Sequence, residues 1–386
     1  MIGWTTTLML AAVLPQYLIG SLAVEIRADF AFSDSQLGAA VGVSFALSAL
    51  ISPMAGRTVE WIGVKRGVIL SAVVVTATSV AIATVADSAA AMIGLMALNG
   101  VAGGVGSPAY STLLVSRVAP ERHGTAFGML TSSPQVAAFA AGLALPAVAH
   151  PFDWRVAFVA PAVLGLSSLV GLARLGLPSS APRRGPAAAD VRRLPRSVHV
   201  IALSTALASA AGIGMRSFLV VFAVSIGFDS SAAGYLLAAT GLVAIFSRIG
   251  FGVLGDRRPG EPLLRAAALM LVCALGFVLM ALGGDVAVVA GALLAGGLGW
   301  GWQSPLSFAV VSQNPDATAA AVGVQMAGFF AGALVGPLVL GVFAENGSYT
   351  VAWVLCIGLA SAAAAVVLWA HRLAHPPRAA RQATMR

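Results

Sequence analysis

What this chain has least of is charge, and negative charge above all. Charged residues fill 9% of its 386 positions against 59% hydrophobic ones, and 14 acids face 22 lysines and arginines. A soluble domain carries charge on about a quarter of its residues. The chain is therefore an integral membrane protein, as its mean hydropathy of +0.93 also requires. Cysteine is nearly absent too: Cys273 and Cys356 lie inside apolar runs with no histidine or cysteine beside them. That excludes a disulfide framework and a cysteine metal site. The five histidines all fall at loops or span ends, so neither a metal centre nor a nucleophile and base pair can be assembled, which argues against a membrane enzyme. No glycine-rich loop ends in Lys-Ser or Lys-Thr, so an ATP-driven pump is excluded, and no cofactor is called for. The net charge of +8 reads as membrane topology rather than as a nucleic-acid surface.

What is present is a series of apolar runs of about 20 residues or more, the length a membrane helix needs and twice that of a barrel strand. Cutting at charges, prolines and glycines predicts twelve spans: 5–28, 35–56, 67–86, 89–117, 124–149, 154–175, 198–227, 230–254, 262–283, 286–312, 317–344 and 349–371. Six spans precede a proline- and arginine-rich stretch and six follow it. The expected organisation is an N-terminal six-helix bundle at 1–175, a linker at 176–197, a C-terminal six-helix bundle at 198–372 and a basic tail at 373–386. The first run has no basic residue before it and belongs to the series, so it reads as a retained helix.

With twelve spans, Lys65, Arg66, Arg117, Arg122, Arg248, Arg257, Arg258, the linker arginines and those of the tail share one side. The other side has Arg27 and Arg155 among the acids Glu25, Asp29, Asp34, Asp87, Asp153, Asp229, Asp285 and Glu345. Basic loops face the cytoplasm, which places both termini and the linker inside an inner or plasma membrane. Ser33 and Gln36 form a capping-box pattern at the start of the second span, and Asp229-Ser230-Ser231 occupies the same place in the second half.

The halves repeat. Gly38 and Gly234, Gly56 and Gly252, and Glu60 and Asp256 each stand 196 residues apart, the signature of a duplicated transporter unit with a two-fold axis along the membrane normal. The charged stretch 53–66, P-M-A-G-R-T-V-E-W-I-G-V-K-R, reads as a short turn between spans two and three, with its copy G-V-L-G-D-R-R at 252–258. Gly56, Glu60, Gly63, Lys65 and Arg66, echoed by Gly252, Asp256 and Arg257, resemble the loop signature of the major facilitator superfamily. D-W-R-V-A-F at 153–158 is similar to another of its stretches, and the likeness runs over essentially the whole chain. The resemblance implies an all-α fold of twelve transmembrane helices in two pseudo-symmetric six-helix bundles, alternating access, a gating role for those loop residues, and a monomer as the default. Met96 stands where the family's fourth helix carries an arginine before its glycine cluster, here Asn99-Gly100-Val101-Ala102-Gly103. An exporter signature survives only as Ser133-Pro134-Gln135 with small residues after it.

Arg216 is the sharpest single residue. It lies about 17 residues into the seventh span, or ~25 Å at 1.5 Å per residue. A charge at that depth faces a watery cavity or substrate route by default, and a guanidinium favours a carboxylate. The competing reading pairs it with Glu25 or Asp29 as an outer gate. Gln16, Tyr17, Asn99, Gln135, Trp300, Gln303 and Gln325 are the other polar or aromatic mid-span residues, each equally suited to helix-helix bonding. Trp300 and Trp302, two apart, cannot share a helix face. No acid stands mid-span, so any coupling ion must act through Glu25 or Asp29, or the carrier is a uniporter or anion exchanger. The expectation is a transporter of a small organic solute, an anion by the Arg216 argument; an efflux antiporter for amphipathic drugs or metabolites and a transporter-like receptor stand as alternatives. Membrane lipid is the other partner, with no nucleic acid.

Overall fold

Backbone amides in hydrocarbon find partners only inside a helix or a closed barrel, and the long apolar runs here take the first course. In the computed structural model, which describes residues 2–117, 130, 132–174, 194–257, 260–314 and 318–374, the regular structure is helical. The first half contains α1 (Ile2–Ser21), α2 (Ala23–Asp29), α3 (Asp34–Ile62), α4 (Val64–Val85), α5 (Ala89–Arg117), α6 (Ser133–Ala144) and α7 (Val159–Arg174). The second contains α8 (Arg196–Ser225), α9 (Ser230–Arg257), α10 (Pro262–Leu282), α11 (Asp285–Ala292), α12 (Gln303–Gln313), α13 (Thr318–Glu345) and α14 (Tyr349–Ala374).

Among the described residues ten stretches are long and apolar enough to cross a membrane; α1 with α2 forms one further candidate span bent by 66°, and Ser133–Ala149 is a shorter apolar helix. Each of the twelve expected spans falls on one of these, six to each half. Both expected caps are present. Gln36 N–H donates to Ser33 Oγ at 3.2 Å while Ser33 N–H donates to Gln36 Oε1 at 2.9 Å. Ser231 N–H donates to Asp229 Oδ2 at 2.8 Å.

Three expectations need correction. The first span does not run unbroken through residue 28: it bends after the Gly20-Ser21 pair, a combination that loosens a helix. The stretch 53–66 is not a turn, because α3 continues to Ile62 and the chain reverses only at Gly63, whose φ of 86° is open to glycine. In the second half, Gly252, Asp256 and Arg257 likewise lie within α9. Once polar residues reach the headgroup region, nothing stops a helix that keeps its backbone paired, so helix ends and membrane boundaries need not coincide.

The halves meet along α3 with α13, α6 with α9, and α1 with α8. Small residues bring these backbones into contact. Gly38 lies against the Pro337 carbonyl, and Gly142 and Gly234 face one another. At the same, arginine-poor end His150 reaches from the first half to the second. Its Nε2 is 3.0 Å from Ser230 Oγ and 3.4 Å from Glu25 Oε1, and its Nδ1 is 3.0 Å from Ser231 Oγ. Arg155 and Trp154 both donate to Asp29, and Arg27 pairs with Asp34.

A side chain at residue 38 has no room beside the Pro337 backbone, whereas Gly94 faces open space. Gly38→Val is expected to lower stability by about 1–3 kcal/mol through overpacking, and Gly94→Val to leave it within about 0.5 kcal/mol. Thermal melting of the two purified variants checks this, and equal melting curves would contradict the packing.

Candidate functional site

α8 is buried along nearly its whole length, so it can carry a charged residue only if neighbouring helices receive it. Arg216 projects from it about two-thirds of the way along and is 3% exposed. What receives it is the tenth span, which is not one regular helix. Between α11 and α12 the chain makes a π-helical turn over Leu293–Leu298 and a 3₁₀ turn over Gly299–Trp302. Such turns break the α ladder and release carbonyls. The Gly296 carbonyl accepts from Arg216 Nη2 at 2.5 Å. Four residues later the Trp300 ring lies beneath the guanidinium, 4.9 Å from Cζ to its centroid, within cation–π range. Gly212, one turn before Arg216, makes this possible, because a Cβ there would overlap the Trp300 indole.

From the first half, the Tyr17 phenol stands close enough to the guanidinium to interact with its charge. Arg216 Nε and Nη1 nevertheless lack a hydrogen-bond partner among the described residues. Gln16, Tyr17, Val41, Phe45, Ile213, Arg216 and Ser217 line a cavity of about 10 Å³, on the scale of a single water. Gln16 Nε2 donates to Ser44 Oγ at 2.8 Å, and its Oε1 has no partner. The cavity therefore lies at the junction of α1, α3 and α8, with unpaired donors on one wall and an unpaired acceptor on the other. At this size it admits about one water, and its walls offer donors from the guanidinium and an acceptor from Gln16.

Of the expected site residues, Arg216, Gln16, Tyr17 and Trp300 come together here. The outer-gate pairing of Arg216 is not what the structure has, since Asp29 is taken by Arg155 and Glu25 lies beside His150. Asn99 is elsewhere: it is fully buried and its Nδ2 donates to Thr78 Oγ1 at 3.5 Å, tying α5 to α4. Gln135 is buried on α6, outside the cavity lining. Gln325 binds Ser307 at 3.2 Å. Trp300 and Trp302 are not on opposite faces. The tighter turn brings their rings edge to face at 5.7 Å, and both are buried. Gln303 accepts from Arg248 Nη2.

Gly63 forms the turn described above, and Lys65 and Arg66 open α4 with Arg66 exposed. Gly252 has open space around it. The side chains of Gly56, Glu60, Asp256 and Arg257 lie outside the described residues. Sequence reasoning missed Ser44, Val41 and Phe45, which carry no signal beyond being small or apolar. It also set Arg248 among the boundary charges, whereas the side chain is 8% exposed. The signal was available, since Arg248 sits in I-F-S-R-I-G-F with apolar residues on both sides.

Comparison with known proteins follows the same lines. A family model described as Major Facilitator Superfamily matches residues 5–326. The chain is 26% identical over 353 residues to a Bacillus subtilis (strain 168) protein named "Uncharacterized transporter YycB", covering 88% of this chain and 85% of that one. Among solved structures it is similar to a bacterial homologue of the human lysosomal transporter Spinster in an inward-facing and occupied conformation. That match has a TM-score of 0.68 at 15% identity and covers 96% of each chain.

Gln16 and Asn99 make one side-chain bond each in different settings, and the difference is measurable. Asn99→Leu is expected to lower stability by about 1 kcal/mol while leaving binding of a transported solute unchanged. Gln16→Leu is expected to weaken that binding at least about fivefold, ~1 kcal/mol for one lost hydrogen bond. Thermal melting together with a ligand-binding titration on both variants decides.

Proposed function

The chain belongs to the Major Facilitator Superfamily, and on that premise we propose that this transporter moves a small organic anion, engaged by Arg216, by alternating access of its two halves. The observation that carries the substrate class is the Arg216 guanidinium, buried in the membrane interior with two of its nitrogens unpaired. Placing a cation there is unfavourable unless it faces a polar cavity or a counter-charge. A carboxylate, accepting two parallel N–H bonds, matches the guanidinium fork. Tyr17 and Gln16 add a donor and an acceptor for the rest of the solute.

The mechanism follows from which half each wall belongs to. Gln16, Tyr17, Val41 and Phe45 come from the first half and Ile213, Arg216 and Ser217 from the second. Rocking one half against the other then opens the cavity toward one face and closes it toward the other. With the arginine-rich side taken as cytoplasmic, the glycine-to-backbone contacts of α3 with α13 and α6 with α9 would serve as the outer gate on this reading. Glu60, Lys65, Arg66, Asp256 and Arg257, at the other end of the spans, are the groups that would form and release charge-assisted bonds at the inner gate.

The test is uptake of a panel of radiolabelled organic anions into proteoliposomes. Arg216→Ala is expected to reduce uptake at least about a hundredfold, and Arg216→Lys about tenfold, since a point charge replaces a two-pronged one. Unchanged uptake by folded Arg216→Ala would refute the anion reading. Efflux of lipophilic cations insensitive to the same substitution would favour an exporter instead.

A further inference from the structure

The seam between the halves at α6 and α9 ends in a polar rung. Along it Gly142 lies against Ala238, and Pro146, in the π turn Leu145–Ala149 that follows α6, lies against Gly234. The next step of four residues on both sides brings His150 to Ser230. The imidazole belongs to the first half and its hydroxyl partners to the second. Nε2 is 3.0 Å from Ser230 Oγ and Nδ1 is 3.0 Å from Ser231 Oγ, while Glu25 Oε1, from the imidazole's own half, is 3.4 Å from Nε2. The His150 and Glu25 side chains are each 32% exposed, so both are open to the medium at this arginine-poor end. The other charges on the elements packed around the ring are already engaged. On α2, Arg27 pairs with Asp34 and Asp29 with Arg155, and on the turn after His150, Asp153 also lies near Arg155. At the start of α9, Asp229 accepts from the Ser231 and Ala232 N–H groups, and Tyr235, one turn on, is exposed.

Histidine is the side chain that changes charge between about pH 5 and about pH 8. A neutral ring donates from one nitrogen and accepts at the other, whereas a protonated ring donates from both. Two hydroxyls, which can turn to accept, and a carboxylate, which only accepts, suit the protonated form. Its bonds to the serines are then charge-assisted, about twice as strong as neutral ones, and Asp229 adds a negative charge on the far side. The positive end of α9 opposes a cation, but Asp229 already takes up its first N–H groups. When the halves part, His150 keeps Glu25 and loses the serines and Asp229. The closed seam therefore binds the proton more tightly than the open one. By linkage, closure is favoured as pH falls through the histidine range and is lost as pH rises through it. We propose that His150 is a proton-binding latch between the halves: acid closes the arginine-poor end of the carrier and base releases it. The glycine-to-backbone contacts along the rest of the seam carry no titrating group, which leaves this rung as the part that responds to pH. The inference uses the reading that the seam opens and closes, and none of the anion reading of Arg216.

Double electron–electron resonance on the full-length protein in lipid nanodiscs tests this without a transported solute. Spin labels go on Val85→Cys of the first half and Val286→Cys of the second, both exposed at this end, after the buried Cys273 and Cys356 are replaced by alanine. The short-distance, closed population is expected to rise relative to the long-distance one at least about fivefold between about pH 8 and about pH 5. His150→Gln keeps a donor and an acceptor but no titrating group, and should bring that change below about twofold. Ser230→Ala together with Ser231→Ala should do the same with His150 and Glu25 still in place. This second variant separates a latch across the halves from titration elsewhere, and keeps the test open if His150→Gln does not fold. A pH response undiminished in either folded variant, or one of opposite sign, overturns the proposal. Two distances in fixed proportion at every pH also overturn it while leaving an opening seam intact; a single distance under all conditions removes both.

Discussion

The rest of this structure depends on holding a guanidinium in an apolar interior where no buried acidic side chain among the described residues accompanies it. A long helix as thoroughly buried as α8 is ordinarily apolar all round, and Arg216 violates that rule in its interior. The neighbouring tenth span is shaped accordingly. Its π and 3₁₀ turns set free the Gly296 carbonyl and swing Trp300 beneath the charge. Gly212 is small because the indole lies where its side chain would be. A regular helix from Asp285 to Gln313 would have kept its carbonyls for its own ladder. The irregularity is thus the means by which the arginine is tolerated, and the nitrogens it leaves unpaired are what a guest can use.

The cavity exists only where the two halves meet, and their meeting is a matter of backbone contact. Gly38 against Pro337, Gly142 against Gly234 and Gly20 against Ser217 allow helices of opposite halves to touch main chain to main chain. In lipid there is no hydrophobic drive for helices to associate, so close packing of this kind supplies the attraction. The same contacts can separate without exposing apolar surface to water wherever lipid fills the gap. A seam of this type suits an interface that opens and closes, because its strength is short-ranged and vanishes with a small displacement.

How much of this was legible beforehand varied with the kind of signal. Span positions followed from apolar length and from loop charges, and the caps at Ser33 and Asp229 followed from side-chain chemistry at the first turn, because each depends on local sequence alone. The helical continuation through Ile62 was not legible, since a charged stretch marks where the lipid ends rather than where the helix ends. Neither was the break at Leu293–Trp302: the glycines of L-L-A-G-G-L-G-W-G-W weaken a helix without saying which turns replace it or that a carbonyl there meets Arg216 on another span. Arg216 itself stood out because its depth could be counted from both ends of its run. Arg248 did not, because counting stopped at residue 254, where the apolar run ends, although α9 extends to Arg257. The meeting of Gln16, Tyr17 and Arg216 from two halves is a long-range fact that no local pattern carries.

The placement of the acids completes the electrostatic picture. Asp34 is matched by Arg27, Asp29 by Arg155, and Glu25 lies beside His150, all at one end of the spans. These charges offset one another in the headgroup region, where an exposed pair contributes little to stability and much to register. None of these reaches Arg216, about two-thirds of the way along α8. A low-dielectric wall around the Arg216 guanidinium concentrates its field in the small cavity beside it. On the anion reading proposed above, selectivity would rest on the lack of a nearby acid among the described residues, and affinity on how a solute's acceptors fit the donors that remain.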